Sequence, residues 1–240
     1  MSLIANEVST DKVVVLDLNE LTIREVNRTL QTAESTQSRP SFRVIHPAGE
    51  HAIACGLMRP IEVTIAGHAG YYTAGMNQEA EVTVAGNVST GVAENMMSGR
   101  VTVHGNAGAS AGATAHGGLL VIHGDAGSRC GIALKGADVV VAGSVGHMAG
   151  FMAQLGRIVI CGDADEALGD SLYEAEIFVG GKVAELGADC ELKPMEATHV
   201  SELTQLLSKA GVEADVASFK RFGSARGLYN FNTDRAGSYG

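Results

Sequence analysis

The sequence predicts an all-β fold, a single-stranded parallel β-helix of about seven nineteen-residue coils with short helical appendages at both ends, and three observations carry that prediction. Seven glycines, Gly67, Gly86, Gly105, Gly124, Gly143, Gly162 and Gly181, stand nineteen residues apart without a slip. Each follows a short β-branched run. Four and two positions before each glycine stand apolar columns, Val63 to Ile177 and Ile65 to Val179, whose two-residue alternation puts both on one strand face. A strict period of this length signals stacked structural units. Stacking pairs each strand with its equivalent one coil away, at roughly 4.8 Å.

The chain divides into a strand-helix cap over residues 1–41, a β-helix over 42–190 and a helical tail over 191–240. In the cap, Val13 to Leu18 reads as a strand, and Thr22 with Glu25 forms a capping box opening a helix over Ile23 to Ala33. Phe42 to Cys55 gives a degenerate extra coil around Gly49. Within the coils, the residues directly after the glycines (His68, Asn87, Asn106, Asp125, Ser144, Asp163, Lys182) have the chemistry of a tight corner. Seven positions after each glycine only alanine or glycine occurs, which predicts a second corner where backbones approach closely. The column Glu81, Arg100, Leu119, Asp138, Arg157, Glu176 alternates in sign wherever neighbours are both charged, reading as solvated rungs that disfavour a slip by one coil. Beyond Pro194, a helix over His199 to Ala210 is stopped by Gly211, and a basic, aromatic stretch runs around Lys220 to Phe231. Such ends hide the open edges of a solenoid.

Three positions before the glycines the outward column changes character. Thr64, Thr83 and Thr102 give way to Val121, Val140, Val159 and Phe178. An outward apolar stripe of this length has to be covered, either by the chain's own C-terminal segment or by a partner subunit, and these four residues are the candidate interface. Charging the stripe (Val140→Glu, Val159→Glu) is expected to damage assembly or tail docking, and charging the interior (Val141→Glu) to prevent folding.

Composition narrows the function classes. A net charge of −10 with 17 scattered Lys and Arg argues against nucleic acid. Neither a leader nor a long apolar run is apparent, so a cytoplasmic protein without a membrane partner is expected. Cys55, Cys130, Cys161 and Cys190 lack zinc or iron-sulfur spacing and read as reduced, mostly buried thiols. His104 and His123 share an outward column on adjacent coils, where two imidazoles could share a metal, but no carboxylate recurs beside them. His116 and His147 in glycine-rich turns read as hydrogen-bonded structural residues. Asp163, Asp165, Glu166 and Asp170 could suggest paired carboxylates for glycoside chemistry, and read more simply as a solvated acidic turn. The three-threonine ladder is too short for an ice-binding surface. No residue is assigned a catalytic, cofactor-binding or metal-binding role.

The runs GHAGYYTAGMN (Gly67 to Asn77), GVAENMMSG (Gly91 to Gly99), GATAHGG (Gly112 to Gly118), RCGIALKG (Arg129 to Gly136), GHMAGFMAQ (Gly146 to Gln154) and ALGDSLYEA (Ala167 to Ala175), with the SARGLYNF tail, resemble the GXGXG domain family. This is the right-handed β-helix that ends the large subunit of glutamate synthase, and the resemblance extends to stand-alone versions such as the B subunit of N-methylglutamate synthase. It covers about Phe42 to Phe231 and implies a non-catalytic spacer joining a glutaminase-like subunit to an FMN-binding synthase-like subunit. FMN and iron-sulfur clusters are then implied on the partner and none on this chain. The residues agree: Met1 is followed by Ser2, not by the cysteine nucleophile of a class II glutaminase. The glycines punctuate strands and do not open phosphate-binding helices. The C subunit of formylmethanofuran dehydrogenase, or of the related formyltransferase/hydrolase complex, shares the implied fold and is a second possibility. An autonomous β-helix enzyme acting on polysaccharide is a third. A homo-oligomer is compatible with all of them.

Overall fold

A computed structural model describes residues 13–34 and 39–226. The described chain forms one eleven-stranded sheet, wound as the outer wall of a β-solenoid. Strand β1 (Val14–Asp17) is followed by helix α1 (Ile23–Thr32). Strands β2 (Ser41–Ile45), β3 (Glu62–Ile65), β4 (Glu81–Val84), β5 (Arg100–Val103), β6 (Leu119–Ile122), β7 (Lys135–Val141), β8 (Leu155–Ile160) and β9 (Glu176–Val179) then stack in parallel. From β3 to β9 the register is the nineteen-residue repeat, with Val103 paired to Ile122 and Val140 to Val159. The extra coil pairs Phe42 with Val63, a longer step. Both apolar columns of the wall point inward, where Ile65, Val84, Val103, Ile122, Val141, Ile160 and Val179 are fully buried in one continuous core.

The residue after each of the first six repeat glycines does more than turn a corner. Its side chain accepts a hydrogen bond from the backbone N–H of the equivalent residue one coil on: Asn87 from Asn106 (2.9 Å), Asn106 from Asp125 (2.9 Å), Asp125 from Ser144 (2.7 Å), Ser144 from Asp163 (3.0 Å) and Asp163 from Lys182 (2.7 Å). His68 starts the series by accepting from Asn87 through Nδ1 at 2.9 Å. This ladder also explains the repeat glycine. A Cβ on Gly124 would lie 2.0 Å from Asn106 Oδ1 and 2.8 Å from the Gly105 carbonyl, and one on Gly143 would lie 2.2 Å from Asp125 Oδ1.

The wall opposite the sheet is not built from strands. Five, seven and nine positions after each of the first six repeat glycines the backbone takes positive φ, as at Met148 (62°), Gly150 (72°) and Met152 (54°). The N–H groups point alternately to the next and the previous coil: Ser110 donates to Ser128 O (2.8 Å), Gly112 to Val92 O (2.8 Å) and Thr114 to Ile132 O (2.9 Å). Each non-glycine in the left-handed region costs about 1–2 kcal/mol, which these inter-coil bonds offset. The Ala/Gly column in this wall is the predicted second corner, with a different cause. A Cβ on Gly131 would meet Ile158 Cδ1 at 2.5 Å and one on Gly150 would meet Ile177 Cδ1 at 2.7 Å, so these glycines yield space to core side chains of the sheet wall and not to neighbouring backbone.

Both ends are sealed by appendages. Thr22 and Glu25 make the capping box of α1, which buries Val26 and Leu30 against the first coil. Asn27 donates to Ala52 O (2.8 Å) and accepts from Ala54 N–H (2.9 Å), and Gln31 donates to Cys55 O (2.8 Å), so the helix satisfies backbone groups at the open edge of the coil. At the other end the tail is more than helical. Helix α2 (Ala197–Ala210), ended by Gly211 at φ 70°, is flanked by β10 (Cys190–Lys193) and β11 (Lys220–Ser224). Strand β11 pairs antiparallel to both β9 and β10, closing the parallel sheet with a reversed pair. Phe231 lies outside the described residues.

Candidate interaction surfaces

Three outward faces follow from this geometry. The first is the late half of the sheet face. Val121, Val140, Val159 and Phe178 are at most 1% exposed and form a second apolar core with Leu119, Leu203, Leu206, Leu207, Ala210 and Phe219. Of the two covers expected for this stripe, the chain's own tail occupies it. These four residues are therefore an internal seam of the chain and not a free surface for another subunit.

Polar staples hold the tail down, and they come from the column of alternating charges. Arg157 makes a two-pronged bond to Asp138 (both contacts 2.8 Å) and approaches Glu202 of α2 at 3.9 Å. Glu176 accepts from Arg221 of β11 at 2.7 Å and lies 3.6 Å from His199. Arg100 donates to the carbonyls of Lys209 (2.7 Å) and Ala210 (3.1 Å), placing a cation on the carbonyl end of α2. The column read as solvated rungs is in fact the docking seam for the tail. Its signal was in the sequence only as charge, since the partners lie up to 110 residues away.

The second face is the early half of the same sheet, where Thr64 and Thr83 remain partly exposed. Beside it an open groove of about 570 Å³ runs between the strands and the end of α2, lined by Arg39, Glu79, Glu81, Arg100 and Lys209. Arg39 pairs with Glu81 across it.

The third face is the left-handed wall. Its outward positions include Met76 (54% exposed), Met97 (49%), Met152 (39%) and Tyr173 (39%), with Ile132 and Phe151 half-buried between them and Leu155 (53%), the first residue of β8, at its edge. The sequence runs that carried the family resemblance lie along this wall.

The remaining candidates have structural settings. His104 and His123 stack with ring centroids 5.1 Å apart and planes within 8°. Burial, then His104, then Arg100 hold the pKa of His123 below its usual value. Among the described residues no group of three or more His, Cys, Asp and Glu is placed to hold a metal ion. His116 and His147 are exposed, while the imidazoles that do bond are His46 to Asp17 (2.8 Å), His51 to Tyr71 N–H (3.1 Å), His68 and His199. Of the acidic group, Asp163 serves the ladder, Asp165 accepts from Glu166 N–H (2.8 Å) and Asp170 from the Ser171 hydroxyl (2.7 Å). All four thiols are free. Burial pushes Cys130 up to about 12 and Cys161 and Cys190 up to about 11, far from the range of a thiolate nucleophile. No described helix is long and apolar enough to cross a membrane.

Over 227 residues, 94% of this chain and 99% of the relative, the sequence is 53% identical to Protein GlxC of Rhizobium meliloti (strain 1021). The chain belongs to the GlxC family. No family model matches it.

Proposed function

We propose that this GlxC-family chain is a non-catalytic assembly subunit of a glutamate-synthase-like, FMN-dependent complex of the N-methylglutamate synthase type. In this reading it joins a glutaminase-like subunit to an FMN-binding synthase-like subunit in the cytoplasm. The flavin and the iron-sulfur clusters belong to the synthase-like subunit, and the complex moves an amino group between glutamate or glutamine and a small amine. The observation that supports this most is the placement of the family-like runs. They build the left-handed wall of a rigid stack, where residues of reactive type serve as coil-to-coil braces: Asp125, Asp163 and His68 accept backbone bonds, and the buried thiols are held protonated.

Co-expression of the chain with glutaminase-like and synthase-like subunits from the same genome tests the reading. A stable complex is expected, with flavin absorbance in the synthase-like subunit and amino transfer requiring all components. Subunits that never co-purify with this chain, or a purified chain that performs the transfer alone, would refute it.

A further inference from the structure

We infer that the left-handed wall, centred on Ile132, Phe151, Met152 and Leu155, is the surface on which a companion protein docks, and that the companion presents an apolar patch with a basic margin. This rests on the assembly role proposed above and names the face that performs it. Ile132 and Phe151 occupy the same column on adjacent coils, so they stack into one continuous patch with Ala133 and Met152 beside them. Leu155, 53% exposed, extends it toward the sheet. Methionine and aromatic side chains are enriched where proteins meet, because they offer large polarizable area at low ordering cost.

Nine positions after the first six repeat glycines the backbone is left-handed, yet the residues are Met76, Asn95, Thr114, Ala133, Met152 and Ser171, none of them glycine. Two positions earlier, where the side chain would point into the core, glycine fills Gly112, Gly131, Gly150 and Gly169. The inward column is restricted to alanine and glycine because a larger side chain would meet the core, whereas the outward column keeps non-glycine residues at positive φ, Met152 of the apolar patch among them.

Charge selects the kind of partner. The patch is flanked by Glu94 toward the N-terminal end and by Asp170 and Glu174 toward the C-terminal end, with Arg129 and Lys135 between them. A second copy of this chain would bring the same carboxylates and a net charge of −10 against its own. A companion with basic residues around an apolar centre meets both features.

A photo-crosslinking amino acid placed at Met152, with a control at Thr83 on the opposite face, decides the occupant in the co-expressed complex. Crosslinks from position 152 to a companion subunit, and at least a tenfold weaker yield from position 83, are expected. A Met152→Glu/Leu155→Glu chain that stays folded by circular dichroism is expected to lose that companion. Crosslinks from position 152 to a second copy or to residues 227–240 of the same chain would overturn the inference, as would a complex that forms with the double variant or gives no crosslink at 152. If the wild-type chain recruits no companion at all, the assembly role itself fails, and that outcome is read from the wild type alone.

Discussion

The two halves of one outward column share a backbone and differ in side-chain character and in what lies over them. Thr64, Thr83 and Thr102 share register and strand geometry with Val121, Val140, Val159 and Phe178. The late half lies under α2 and is fully buried, while Thr64 and Thr83 face open water. In a stack the backbone repeats, so a change of side-chain character along one column reports what covers the stack at that height and not the fold itself. The helix stops where the column turns polar. Arg100, one strand below the first apolar residue of the stripe, holds the end of α2 by its carbonyls.

The contrast is broken most forcefully by placing the same charge on each half. Val159→Glu buries a carboxylate in the apolar cluster between the sheet and the tail and should cost about 3–5 kcal/mol. Thr83→Glu on the open half should stay within about 0.5 kcal/mol. Urea midpoints of the two variants check this, and equal midpoints would show that α2 does not hold the late half in solution.

The sequence made the coil count, the inward columns and the capping box readable because each is a local or strictly periodic signal. Val103 over Ile122 follows from counting alone. The threonine-to-valine switch showed that something had to cover Val140 and Val159 but not what, since a stripe carries no record of whether its cover comes from the same chain. Two features stayed out of reach for a physical reason. The left-handed wall uses Met, Asn, Thr, Ala and Ser at positive φ, residues that local propensity does not assign there, because the inter-coil ladder overrides propensity. The role of Arg100 and Glu176 as anchors depended on contacts to the distant tail, which a nineteen-residue period cannot encode. The apolar side chains of the third face were visible as Met76, Met97 and Met152 in the recognised runs, but only the structure puts them on one outward surface.

The boundary between the halves is set by Arg100, and its removal is the next largest effect. Arg100→Ala strips two donors from the carbonyl end of α2 and a third from Thr102, whose hydroxyl accepts at 3.1 Å. A loss of about 1–2 kcal/mol is expected, with faster hydrogen exchange confined to the last turn of α2. Uniform exchange across the helix would place the boundary elsewhere.

Raising the pH should weaken the covered half, as it should the interior that holds Cys130. Cys161 packs against the second core, and burial pushes its thiol up to about 11 from an ordinary 9.0. The folded state thus holds the proton more tightly than the unfolded one. Its contribution is fully present below pH 9 and is lost as the pH rises toward 11; with the thiol partly solvated, it amounts to about 1 kcal/mol. Thermal melts from pH 8 to 11 should fall less steeply for Cys161→Ala than for the wild type, and parallel slopes would remove the thiol from the account.

The smallest effect is the most diagnostic of the open half. Thr83→Val swaps a hydroxyl for a methyl of nearly the same shape on a strand that favours both residues, so the backbone has no reason to respond. If water covers this half, the added apolar surface stays exposed, and stability should move by less than about 0.5 kcal/mol. If a segment or partner lies over Thr64 and Thr83 in solution, the valine becomes buried and extends the stripe beneath that cover. A gain of about 1 kcal/mol or more in the complex, absent in the isolated chain, would then show that the early half has an occupant of its own and that the column's polar residues were chosen to suit it.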